Sequence, residues 1–190
     1  LFGKKTTINS QGLMAQTGTL GSIFGAGLTG GTLGLSNYAD VTTKKKAFGI
    51  TYSSNSSTQT TAASAETADQ FSKIILGFVD SIKLAGNGLG VSTDNILNSL
   101  EGFNLDLGKI DLKGLTGTEI QAKLEAVFGA LGDKMAQAAF GGLVDFQKVG
   151  EGYFETLVRV SSAVEESGLI LKKLGVASIG YTDVLNKQGD

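Results

Sequence analysis

The sequence contains no histidine, no cysteine and no proline. Without histidine, the side chain that titrates near neutrality is missing, and with it the usual base of serine and cysteine nucleophile systems. Without cysteine there is no thiolate chemistry, no disulfide and no zinc site built from Cys and His, and redox compartment leaves no mark. The lack of proline keeps helices uninterrupted and removes slow isomerisation. An excess of either charge is lacking too. Sixteen basic against 18 acidic side chains give a formal net charge of −2, too weak a field to make nucleic acid a main ligand. The one lysine run is Lys44, Lys45 and Lys46. LFGKKTTINS has no apolar h-region, so no signal peptide is read there, and a chain opening on Leu1 reads as a piece of a longer protein. No catalytic residue, cofactor or metal is nominated, and the chain is read as a non-enzyme.

What is present is a 41% hydrophobic chain of 190 residues, long enough for one ordinary domain or two small ones, with 28 glycines. Residues 6 to 39 carry no charge, and from Gly12 to Gly34 glycine recurs among Thr, Ser and isolated Leu, Ile and Phe. Within this tract GAGLTG, residues 25 to 30, fits the G-x-G-x-x-G spacing of a dinucleotide site. That chemistry needs a strand before the first glycine, a helix after the last and an acid about 20 residues on. Gly18 and Gly21 break the one, Gly31 and Gly34 the other, and Asp40 comes too early, so the match is coincidental. The tract is a poor helix and a poor strand, ordered only if something larger encloses it. Its lack of charge and the small-xxx-small spacing of Gly21 and Gly25 also admit a conditional, fusion-peptide-like insertion into membrane. Thr, Ser and Gly dilute it too much for a stable span.

NYADVTT and AFGITYSS then flank KKK as a β-hairpin with the lysines on its exposed tip, and SSNSSTQTTAAS reads as a mobile linker or surface loop. A helix starts at Thr67, with Gln70 completing a capping box, and ends at Gly86. Ala68, Phe71, Ile75, Phe78, Ile82 and Ala85 form its apolar stripe, which is either a core-facing face or a seam for self-association. A short helix runs from Ser92 or Thr93 to Leu100. FNLDLGKIDLK reads as a second hairpin turning at Gly108 and Lys109, with Leu107 facing Ile110 and Leu105 facing Leu112. That register sets Asp106 opposite Asp111, a like-charge pair read as solvated rather than as a metal or acid/base site.

Thr116 and Glu119 open another helix, whose face is Ile120, Leu124, Val127, Phe128, Leu131 and Met135. Gly129 and Gly132 inside it call for close packing against another backbone or a break near Gly132. A last helix is read from about Glu151 to Lys173, with Tyr153, Leu157, Val160 and Val164 as its stripe, Phe154 and Val158 beside it, and Glu155 paired with Arg159. The tail VASIGYTDVLNKQGD is strand-prone. The expected fold is mainly α with two short β-hairpins (α+β), elongated and partner-dependent rather than a compact globule. Residues 1–61 form an extended glycine-rich segment, hairpin and linker; residues 62–190 form a helical docking region with a short hairpin near 103–113.

Three blocks, LFGKKTTINSQGL, NYADVTTKKKAFGI and above all IDLKGLTGTEIQAKLEAVFGALGDKMAQAAFGGLVDFQKVGEGYFETLVRV, together resemble the C-terminal region of tail tape measure proteins of long-tailed bacteriophages. The resemblance implies a structural protein that occupies the tail lumen, sets tail length through a long helical region and leaves the tail during DNA ejection. This chain lacks that ruler, so it would be the end that docks at the tail tip. The implied location is the virion tail, with the host periplasm or inner membrane reached on infection. The implied partners are other copies, as a homotrimer about the tail axis, and the distal tail, tail-tip hub and tail tube proteins, with the host membrane met during ejection and DNA met only indirectly. The alternative function is a membrane-active segment helping to form a DNA passage in the envelope. Some relatives carry a wall-cleaving domain, but Glu166-Ser167 lacks the motif that would follow in a lytic transglycosylase, and a zinc peptidase is excluded by the missing histidines.

Overall fold

The computed structural model describes residues 2–161. Runs dominated by Thr, Ser, Lys and β-branched residues favour extended backbone, and three of them form long strands: β1 (Phe2–Ala15), β3 (Leu35–Ala47) and β4 (Ile50–Ala62). With β6 (Lys109–Asp111) they make an antiparallel sheet in the order β4-β3-β1-β6. A separate pair joins β2 (Gly18–Thr19) to β5 (Asn104–Leu105). The helices are α1 (Leu20–Phe24), α2 (Ala65–Gly88), α3 (Thr93–Glu101), α4 (Gly117–Ala139) and α5 (Tyr153–Val160). They share one core with Leu13, Ala15, Leu35 and Ile110 of the sheet.

This overturns the expectation of a mainly helical, elongated and partner-dependent chain with two short hairpins. The body is compact, with 47% of the described residues helical and 29% in strands. The first hairpin exists, but it is far longer than read: SSNSSTQTTA is strand, not linker, and β1 makes it three-stranded. The second hairpin does not exist. Its two halves pair away from each other, β5 with β2 and β6 with β1, so Asp106 and Asp111 never face across a ladder. Each carboxylate instead caps local backbone: Asp106 accepts from the Gly108 N–H, and Asp111 from those of Gln11 and Lys113.

The uncharged tract is ordered by this chain's own core. Leu13, Leu20, Ile23, Phe24, Leu28, Leu33 and Leu35 are all buried. GAGLTG is the turn after α1, with Gly25 and Gly27 at positive φ and the Gly27 N–H bound to the Glu101 carboxylate. At Gly12, which pairs with Tyr38 of β3 on one side and Asp111 of β6 on the other, a Cβ would overlap the Ile110 carbonyl. Absence of a side chain there lets β6 close on the sheet, and the Tyr38 ring, 1% exposed, lies on the same face.

Helix α2 begins two residues before the expected start, because Ser64 rather than Thr67 caps it and accepts from the Thr67 N–H. It also runs past Gly86. That glycine is a packing position, where a Cβ would crowd Ile96 and Phe140. Helix α4 is capped by Thr116 as expected and is unbroken: Gly132 meets the Phe78 ring, a side chain rather than the backbone expected there, and Gly129 faces open space. The α2 stripe of Ala68, Phe71, Ile75, Phe78, Ile82 and Ala85 is buried within the chain. Phe71 meets Phe128 of α4 edge to face at 5.0 Å, and Phe78 meets Phe154 of α5 at 5.2 Å. Those contacts make it a core face, so the stripe is not free to serve as a seam.

Candidate functional site

The three long strands outrun the helices that cover them. Residues 2 to 7 of β1, Lys44 to Lys46 of β3 and all of β4 except the half-buried Ser53 are exposed. The result is a three-stranded arm projecting from the helical body. Its charge differs from the body's. Residues 2 to 62 hold five lysines and one carboxylate, whereas residues 63 to 161 hold eight cationic and 13 acidic side chains.

Four side chains, one from each strand of the sheet, close the base of the arm. Asp40 of β3 accepts from Lys109 of β6 at 2.9 and 3.1 Å, from Ser10 of β1 at 2.9 Å and from Thr58 of β4. The Thr58 hydroxyl, then Lys109 and Ser10, hold the Asp40 carboxyl down at about 2. The ammonium of Lys109 also lies 5.3 Å from the Tyr38 ring centroid. Burial raises the Tyr38 hydroxyl above its ordinary value, offset in part by its hydrogen bond with Ser10.

Beyond this clip the arm is polar and cationic. In the β1–β3 register Lys4 faces Lys45 and Lys5 faces Lys44, like-charge pairs that weaken a ladder. Among the described residues no carboxylate forms an ion pair with any of the five arm lysines. Lys5, Lys44 and Lys46 line, with Thr7, Asn9 and Thr42, a shallow hollow of about 280 Å³ on one face. The turn is Phe48-Gly49, both at positive φ (51° and 81°), the backbone of a two-residue hairpin loop in which Asn-Gly is the favoured pair. Phe48 packs edge to face on Phe2 at 5.8 Å. Phe2, Phe48, Ile50 and Tyr52 are 77%, 73%, 72% and 62% exposed.

The outer edge of the arm is β4, ITYSSNSSTQTTA, 13 residues without one charged side chain or proline. Natural edge strands are usually blunted by lysine, proline or shortness because their free N–H and C=O groups template pairing. This edge carries one irregularity, at Tyr52 next to the turn, and is otherwise open.

The lysines expected at the hairpin tip lie on the strand just before it. Sequence reasoning missed β1 and the edge character of β4; Thr6, Thr7 and Ile8, and the Thr-rich second half of β4, were the signals that could have found them. Arg159 pairs not with Glu155 but with Glu151, at 2.7 and 3.0 Å, and it donates to the Phe146 carbonyl as well. That guanidinium, with the Lys148 N–H and Thr156, holds the Glu151 carboxyl down at about 2. The pair pins the loop before α5 and is structural. Val164, Glu166-Ser167 and the strand-prone tail lie outside the described residues. Among the described residues no group of acids could hold a metal ion, and no helix is long and apolar enough to cross a membrane. Comparison with protein-family models, curated proteins and solved structures finds no match to this chain.

Proposed function

We propose that this chain is a structural component of the tail tip of a long-tailed bacteriophage, the C-terminal end of a tape measure protein that occupies the tail lumen and is released during DNA ejection. The observation that carries this reading is the arm. A long β-sheet extension with both faces exposed and an uncharged open edge contributes little to its own core, and its geometry suits strand addition by another protein. The blocks that resemble tape measure proteins support the reading: two of them are β1 and β3, and the third runs through β6, α4 and α5. The partners proposed for the arm are the distal tail, hub and tube proteins. Copies arranged about the tail axis, as a homotrimer, would meet through their arms, since the α2 stripe is occupied.

The experiment replaces Asn55, exposed in the middle of β4, by a photo-crosslinking residue in virions that carry this chain. Irradiation should join it to a second tail protein or to another copy in intact particles. Particles without the chain, or adducts confined to its own residues, would sink the proposal.

A further inference from the structure

We infer that the end of the arm is a membrane-contacting tip, recognising an anionic lipid surface. This goes beyond the tail-tip reading and stands or falls without it. The apolar residues of the uncharged tract, to which a membrane role was first attached, are in the core and would have to leave it to insert. The arm offers apolar groups that are already outside. Phe2, Phe48 and Ile50 stand at its extremity with Tyr52 a step behind, and Phe48 occupies a left-handed position that a bulky residue adopts only with strain. Behind them stand Lys4, Lys5, Lys44, Lys45 and Lys46, which alternate between the two faces of the sheet and so collar the arm.

The spacing fits a bilayer interface. At about 3.3 Å per residue, Lys46 lies roughly 7 Å, Lys45 and its partner Lys4 roughly 10 Å, and Lys44 roughly 13 Å behind the tip. Interfacial segments bury their apolar face to a depth of about 5–10 Å, at the boundary of headgroups and acyl chains. With Phe2, Phe48 and Ile50 at that depth, the ammonium groups and the Tyr52 ring lie at the level of the lipid headgroups. The hollow between Lys5, Lys44 and Lys46, floored by Thr7, Thr42 and Asn9, is then open to a headgroup phosphate. The like-charge pairs Lys4–Lys45 and Lys5–Lys44, unrelieved by any ion pair among the described residues, gain their counter-ions from such a surface. Nucleic acid would satisfy the lysines but would leave Phe2, Phe48 and Ile50 in water, because these three lie beyond the charges, with Tyr52 level with Lys45 and Lys46.

The chain contains no tryptophan, so Phe48→Trp reports on the tip alone. With vesicles of phosphatidylcholine and phosphatidylglycerol its emission should shift to the blue and become shielded from aqueous iodide, and with phosphatidylcholine alone it should not. Combined replacement of Lys44, Lys45 and Lys46 by Glu should lower partitioning at least on the order of 100-fold, from about fivefold per lysine near an anionic surface. Ile50→Ser with Tyr52→Ser should keep a weak, salt-sensitive association but abolish the blue shift. All these side chains are exposed, so circular dichroism should be unchanged in every variant. No blue shift on anionic vesicles, equal binding to neutral ones, wild-type binding by the charge-reversed variant, or tighter binding to duplex DNA than to anionic vesicles would each overturn the inference.

Discussion

Replacing Phe78 by alanine should destabilise the chain by about 4 kcal/mol and leave its mass in solution unchanged. Phe78 is 2% exposed, stacks edge to face on Phe154 and fills the space that Gly132 leaves on α4. Removing the ring takes its transfer free energy and opens a cavity between α2, α4 and α5, walled by helices that cannot all close on it. For a domain of this size the loss corresponds to a fall in Tm of roughly 8–16 °C. Thermal unfolding followed by circular dichroism measures the first half of the expectation and light scattering the second. A seam between copies would give the reverse pattern, with a fall in mass and a monomer of nearly wild-type stability.

Gly12→Ala should cost about 3 kcal/mol, a large effect for one added methyl group. The obstacle is backbone rather than a side chain that could turn aside: the new Cβ would meet the Ile110 carbonyl, whose strand is held in register by the ladder to β1. Relief requires β6 to move off the sheet. Lys109 would then leave Asp40, and Tyr38 would lose the cation above its ring. The arm would lose its anchorage to the body while its own three strands stayed paired. Thermal unfolding would register the loss, and solvent access of the Tyr38 ring would report the detachment. A variant as stable as wild type, with Tyr38 still covered, would show that β6 is not held as described.

The helices were the legible part of the sequence, because their signals are local. Thr116 caps α4 as its spacing indicates, α3 starts where expected with Ser92 as its cap, and the stripes from Phe71 to Ala85 and from Ile120 to Met135 face the core. Errors at the ends of α2 arose where two residues offered the same chemistry. Ser64 and Thr67 can each cap a helix, and Gly86 can end one or admit a neighbour. Only tertiary packing decides between them.

Strands were less legible because pairing is non-local. LGKID looks like a turn between two strands, yet both halves find better partners more than 80 residues away, at Gly18 and at Gly12 to Met14. The arm was hidden for another reason. Alternation of apolar and polar residues marks a strand with one buried face, and an arm exposed on both faces has none to show. SSNSSTQTTA therefore has the composition of a linker and the backbone of an edge strand. The glycine tract misled in the opposite sense: its thinly spread Leu, Ile and Phe residues look insufficient for a core, but each is buried under helices supplied by sequence far downstream. The arm became visible only once β1, β3 and β4 were seen to share a sheet.

The central claim is that this chain builds its own core and leaves the arm as a folded but unsheltered extension. Hydrogen exchange on the isolated 190-residue chain tests it most directly. Amides in the middle of α2 and α4 and in β1 from Gly12 to Met14 should exchange slowly, with those at the arm's extremity, near Phe48 and Gly49, exchanging fast. Uniformly fast exchange would contradict the account, since the core would then have to come from partners; so would protection of the extremity equal to that of α2.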